Sequence, residues 1–275
     1  MSAEPALLQH RRELLVEGEV SIDVLVDRPA GGANAPASAP AIVLLPSSNR
    51  DSFDFDDLAR RLASAGFTVL RPQPRGMGRS AGPMQGLNLS VLARDVAFTI
   101  DKLGGGRAVI VGHAFGHFVA RVADLEHPSR VRGVVVLGGA ARVFPPGMAE
   151  ALAVAADPTK PREERLAALQ FSMFAPGNDA TPWLEGWHPE LRSAYRQVSA
   201  KPGKDEWWPV TNAPILDLQG AEDPWRPPAT RSELKDVLGD KVTVRVIARA
   251  GHALVPEQPE AVAEAIVAWV RGLGV

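Results

Sequence analysis

The feature that most restricts this fold is a series of six short apolar runs, rich in β-branched residues, at 41–45, 68–70, 108–111, 131–137, 215–218 and 242–247. They show little polar–apolar alternation, as expected of strands covered on both faces. Between them, 55–65, 89–103, 115–126 and 261–270 have helical spacing, and Val262, Ile266, Trp269 and Val270 share one face of the last. Strand–helix alternation of this length predicts an α/β fold built on a doubly wound, mostly parallel sheet. Ahead of it, 7–16 and 20–26 alternate polar with apolar residues about Glu17-Gly18, which predicts an antiparallel pair at a sheet edge. The Ala-, Gly- and Pro-rich stretch 29–40 reads as a surface connector.

One interval breaks the alternation. From 140 to 210 no strand pattern appears, and Pro, Trp, Met and Phe become frequent. This predicts a helical cap inserted into a core made of 1–139 and 211–275. The interval holds Trp183, Trp187, Trp207 and Trp208, with Phe171, Met173 and Phe174 nearby. Any one of these rings is most simply explained as part of the cap's own core. As a group they would also wall a pocket at the carboxyl ends of the strands, where open α/β sheets bind ligands. An apolar or aromatic small molecule is therefore expected.

Charge and composition close several alternatives. With 275 residues, 45% of them hydrophobic, the chain can bury one large core. Thirty basic against 32 acidic side chains give no long-range attraction for nucleic acid or an anionic membrane. The absence of cysteine excludes disulfides, thiolate metal sites and a cysteine nucleophile. Met1 to Pro5 show no basic region leading into an apolar stretch, and no apolar run approaches the roughly 18 to 20 residues that span a bilayer. A cytoplasmic location is expected. Nothing in the pattern indicates the oligomeric state.

The most informative motif is Val109-Ile110-Val111-Gly112-His113-Ala114-Phe115-Gly116, an apolar strand running through a Gly-x-x-x-Gly turn into a helix. Asp223 follows the 215–218 run, and His252 lies in Ala250-Gly251-His252 between the last strand run and the last helical one. Arg75-Gly76-Met77-Gly78-Arg79-Ser80 follows the 68–70 run. Together these resemble the α/β-hydrolase superfamily, whose Gly-x-Ser-x-Gly elbow is followed in chain order by the acid and the histidine. The resemblance covers the chain from 41 to the carboxyl end, the cap excepted. It departs at Gln73, where an acidic residue is frequent, and at Pro46-Ser47, where His-Gly is frequent.

The resemblance implies a catalytic set of residue 114 as nucleophile position, His252 as base and Asp223 as orienter. It further implies an oxyanion hole from the Phe115 amide and an amide after the 41–45 strand, with Ser48 preferred and Ser47 close behind. The implied substrate is a small apolar ester, lactone or related carbonyl compound, with Ser47, His113, Trp183, Trp187 and Trp225 as candidate pocket residues. Glu222 would point away from the site if Asp223 points in, and Asp217, inside its strand, is more simply structural.

At the nucleophile position stands Ala114, whose methyl group forms no acyl-enzyme. Three readings remain open: a Ser→Ala substitution that traps substrate, a serine-less enzyme using His252, oriented by Asp223, as general base on water or on an acidic substrate proton, or a protein that only binds. No cofactor or metal is expected. His113 and His117 are four apart, but no glutamate follows His113 as in His-Glu-x-x-His. His117, one turn past the elbow, is a weak candidate for the pocket wall, and His10, His127 and His188 read as surface residues. Gly76-Met77-Gly78-Arg79-Ser80-Ala81 fits a dinucleotide pattern, yet Gly82-Pro83 blocks the helix such a site needs.

Overall fold

The computed structural model describes residues 8–29 and 39–274. Met1 to Leu7 and most of the proposed connector lie outside them. A single eight-stranded sheet has the order β1-β2-β4-β3-β5-β6-β7-β8, with β1 Gln9–Glu17, β2 Val20–Arg28, β3 Ala41–Leu45, β4 Val69–Pro72, β5 Ala108–His113, β6 Val131–Leu137, β7 Ile215–Gly220 and β8 Val242–Ile247. β1 and β2 form the expected antiparallel edge pair, β2 meets β4 antiparallel, and β3 to β8 run parallel.

The strands are buried because side-chain alternation feeds two helical layers. Val43, Leu45, Ala108 and Ile110 pack on one face with Leu92, Val96, Val119 and Ala123. These come from α2 (Leu89–Leu103) and α3 (Phe115–Glu126); α1 (Asp56–Ser64) precedes them. Ile42, Leu44, Val109 and Val111 turn to the other face and meet Leu58 and Leu62 of α1. Residues 138 to 214 add no strand to the sheet; they carry α4 Met148–Ala155, α5 Arg162–Ser172, and the single turns α6 Arg192–Tyr195 and α7 Lys204–Trp207, with short 3-10 turns between and an isolated bridge from Trp187 to Arg50. The chain closes with α8 Glu233–Leu238, α9 Leu254–Glu257 and α10 Pro259–Gly272. Val262, Ile266 and Val270 of α10 are buried against the α1 face, with Trp269 only partly covered.

One expectation fails at the far edge. β8 is not covered on both faces, since Thr243, Arg245 and Val246 are exposed. As the last strand it has a neighbour on one side only, so the apolar run there reflects strand propensity more than burial.

The order of strands also places the site. From β3 the chain crosses to β4 on one side and then to β5 on the other, so the carboxyl ends of β3 and β5 flank the point where the winding reverses. Ligands of open α/β sheets sit in that crevice.

Candidate active site

The turn after β5 is dictated by steric exclusion. A Cβ on Gly112 would overlap the Gly116 carbonyl and the His117 amide nitrogen, and a Cβ on Gly116 would overlap the Leu45 carbonyl oxygen. Strand, helix and the neighbouring β3 therefore approach as only glycines allow. Between them Ala114 sits at φ +46° and ψ −114°, a region L-residues rarely enter. Its amide donates to the Leu137 carbonyl at 3.0 Å. Phe115 then opens α3. After β3, Ser47 to Arg50 form a tight turn closed by the Arg50 amide on the Ser47 carbonyl at 3.3 Å, with Asn49 at φ +54°. Among the described residues, neither the Phe115 nor the Ser48 amide donates in any turn, loop or cap contact.

His252 and Asp223 meet from the loops after β8 and β7. His252 Nδ1 lies 3.0 Å from Asp223 Oδ2 and 3.2 Å from Oδ1, with both side chains buried. The Trp225 amide donates to Asp223 Oδ1 at 2.8 Å, which fixes the carboxylate. The Trp225 indole stacks on the imidazole at 5.1 Å and 28°, and its Nε1–H donates to the Ser172 carbonyl at 2.7 Å. This ties the loop after β7 to the helical segment between β6 and β7, and the Ala253 amide, donating to the Met173 carbonyl at 2.8 Å, ties the histidine loop to the same segment.

Two groups that the sequence did not single out for this purpose, the half-buried Glu257 and the buried His113, hold the same loop. Glu257 accepts from the amides of Gly251 (2.7 Å) and Ala175 (2.6 Å) and from Asn178 Nδ2 (2.6 Å). Burial raises its carboxyl above the ordinary value. His113, expected in the pocket, is instead fully enclosed, with Nε2 donating to the His252 carbonyl at 2.8 Å. Burial, and then the neighbouring His252, push its imidazole down to about 3, so it is a neutral strut.

A cavity of about 210 Å³ opens between these loops, bordered by Ala114, Phe115, Ser47, Ser48, Trp225 and His252. Phe118, Ala140, Phe144, Ala149, Leu152 and Met173 complete most of its apolar wall, and Ser199 and His117 also border it. His117 is held well below its ordinary value, first by burial and then by Arg121 and Lys204. Ala114, His252 and the carboxylate-bearing Asp223 are thereby gathered at one end of the sheet.

Three of the residues expected in the pocket do not border this cavity: His113, Trp183 and Trp187. Trp183 is buried with Leu169, Met173 and Phe174 in the inserted segment's own core. Trp187 donates its Nε1–H to the Trp183 carbonyl at 2.6 Å. The Arg50 guanidinium lies 4.3 Å from one of these rings and 4.7 Å from the other. Their attraction to a buried cation, not to a ligand, explains where they point. His188 is half-buried rather than superficial, 3.0 Å from Asp51 Oδ2. Phe144, Ala149, Leu152 and Phe118 border the cavity in place of those rings, and nothing in their spacing distinguishes them from ordinary packing residues.

Of the remaining acids, Asp217 is buried and pairs with Arg226 at 3.1 Å, and desolvation raises its carboxyl. Glu222 turns away and accepts the Ala250 amide at 3.1 Å. Gln73, at the departure from the superfamily pattern, accepts the Ser52 amide at 3.0 Å.

A family model described as the alpha/beta hydrolase family matches residues 42–265. The chain belongs to that family. Among curated proteins it is similar to bifunctional epoxide hydrolase 2 of Sus scrofa, 34% identical over 102 residues, which are 36% of this chain and 18% of that protein. It is also similar to epoxide hydrolase A of Mycobacterium tuberculosis, 34% identical over 101 residues, covering 36% of this chain and 31% of the relative. The chain thus matches less than a third of the length of either relative. Among solved structures, the carboxylesterase CesB of Bacillus subtilis superposes with a TM-score of 0.75 at 19% identity, covering 97% of this chain and 93% of the esterase. That likeness shares the α/β-hydrolase fold. Among the described residues, no helix is long and apolar enough to cross a membrane.

Proposed function

We propose that this member of the hydrolase family is built for acyl transfer on a small apolar ester, lactone or related carbonyl compound, with residue 114 as the nucleophile position. The observation that carries the reading is the gathering of Ala114, His252 and two unengaged amides around one apolar cavity, with Asp223 held against the far nitrogen of the imidazole. With a serine at 114, its oxygen would attack the carbonyl carbon while His252 takes the hydroxyl proton. The tetrahedral oxyanion would be met by the amides of Phe115 and Ser48, as in other hydrolases of this design. His252 would then return the proton to the departing oxygen as the bond to it breaks, and water would repeat the cycle on the acyl group.

Ala114 removes the attacking oxygen and leaves the rest of the machinery in place. Loss of a triad nucleophile lowers turnover on the order of a million-fold, leaving a residual advantage of roughly a thousand-fold or more over water. The chain as it stands therefore binds its substrate without forming an acyl-enzyme. Helical pieces between 140 and 210 supply Phe144, Ala149, Leu152 and Met173 to the cavity wall, which supports reading this segment as the cap and an apolar substrate as its ligand. The curated relatives named as epoxide hydrolases keep a strained ether in view as an alternative electrophile.

The test compares the unaltered chain with Ala114→Ser on aryl and alkyl esters, lactones, amides and epoxides. Hydrolysis gained only on substitution supports the acyl-transfer design. Activity already present in the unaltered chain points instead to His252 and Asp223 acting on water, and silence from both overturns the enzymatic reading.

A further inference from the structure

Phe115 and Ser47 border not one cavity but two. The second encloses about 50 Å³ against about 210 Å³ for the first, and its apolar wall includes Leu45, Met77, Leu92, Val96 and Val119, all buried. Three of its charged and polar residues are already engaged. Arg75 pairs with Asp95 through two contacts of 2.7 and 2.8 Å, and the Tyr195 hydroxyl donates to the Arg75 carbonyl at 2.9 Å. What remains for a ligand there is mostly hydrocarbon, with the buried Oδ1 of Asn49, unpaired among the described residues, beside it.

His252, Ala114 and Ser48 border only the larger cavity, so the proposed reacting centre lies there, and Phe115 and Ser47 are shared by both. In acyl transfer the imidazole must hand a proton to the departing oxygen. The departing alcohol must therefore lie on the His252 side, in the larger cavity. The acyl carbon sits between the amides and residue 114, so the remainder of the acyl group has to leave on the side away from the imidazole. The small cavity, which shares Phe115 and Ser47 with the larger, would receive it. An apolar cavity of about 150 Å³ accommodates benzene, so one of about a third that size suits a chain of about two to four carbons.

We propose that the small cavity is the acyl subsite and restricts the substrate to a short, unbranched acyl chain, while the larger cavity receives a bulkier apolar or aromatic alcohol. The assignment rests on the acyl-transfer reading above and adds to it the size and direction of the substrate.

Because Ala114 blocks turnover, the unaltered chain allows the subsite to be tested by equilibrium binding, with phenyl acetate, phenyl butyrate and phenyl octanoate as probes in isothermal titration or saturation-transfer NMR. The butyrate is expected to bind at least tenfold more tightly than the octanoate. Met77→Ala, which lengthens the small cavity, should recover about tenfold for the octanoate, and Val96→Ile, which shortens it by one methylene, should weaken the butyrate. Leu152→Ala, in the larger cavity, should leave the order of chain lengths unchanged. The assignment is overturned if the octanoate binds as tightly as the butyrate, if no ester binds, or if the order follows Leu152 instead of Met77 and Val96. A length series as expected, with no hydrolysis in Ala114→Ser, would remove the catalytic reading and leave the binding subsite. Hydrolysis with an indifferent length series would do the reverse.

Discussion

The turn around Ala114 and the segment from 140 to 210 both border the same cavity, yet they are specified in different ways. At the turn, backbone meets backbone: Gly112, Gly116 and the Leu45 carbonyl leave no room for a Cβ, so the position of residue 114 follows from sterics alone. In the inserted segment, side chains choose among partners. Trp183 and Trp187 turn to the Arg50 guanidinium, and the less conspicuous Phe144 and Leu152 face the cavity. The first region fixes where a reacting atom stands, and the second sets what surrounds it.

The largest effect expected from this contrast lies on the catalytic side. In an Ala114→Ser background, His252→Ala should remove the gained ester turnover by on the order of a million-fold, because members of a triad act as a unit. A loss below tenfold, read by the same assay, would show that the imidazole does not act on the substrate. Next comes the inserted segment's own core. Trp183→Ala should destabilise by about 3–5 kcal/mol in urea unfolding, as a buried ring is lost, whereas the half-exposed Trp187 should cost clearly less. Equal losses would mean that the two rings do not differ as their burial indicates.

Steric exclusion at the turn can be broken directly. Gly116→Ala should cost about 2–3 kcal/mol, since the added methyl meets the Leu45 carbonyl and β3 or α3 must shift. An unchanged unfolding midpoint would contradict the close approach. Smaller still is the wall contribution. Phe144, edge-on to Trp225 at 5.3 Å, should on replacement by alanine weaken phenyl ester binding by about 1 kcal/mol, while Trp187→Ala leaves it unaltered.

A separate effect concerns acid. His113 stays neutral in the fold down to about pH 3, whereas an unfolded histidine takes up a proton near 6.5. As pH falls from about 6.5 towards 3 the unfolded chain binds the extra proton, so this group's contribution to stability is lost over that window. Asp217, raised by burial, acts in the opposite direction. His113→Gln keeps a donor for the His252 carbonyl and should flatten the fall of the thermal midpoint with acidification. An identical profile would assign the acid sensitivity to other groups.

The same contrast explains what could be read from the residues. Strands at 41–45 and 131–137 and helices at 89–103 and 115–126 are legible because burial on a fixed period leaves a pattern. Gly112-x-x-x-Gly116 is legible because the close approach of strand and helix admits only glycine there, whereas Asp223 and His252 are legible through the resemblance to the superfamily. Burial of β8 was misjudged, since an apolar run does not reveal whether a neighbouring strand covers it. Trp183, Trp187 and His113 were misplaced for a related reason. Their spacing says nothing of Arg50 or of the His252 carbonyl, which reach them only through the tertiary fold. Glu257, which holds the histidine loop from a short helix past it, carries no local signal at all.

The most direct measurement mixes Ala114→Ser with phenyl butyrate, quenches in acid and locates any covalent adduct by peptide mass spectrometry. A single butyryl group on the peptide containing residue 114, absent from the unaltered chain, is the expected result. An adduct on Ser47 or Ser48, or none while the ester is bound, would contradict the assignment of residue 114 as the point of attack.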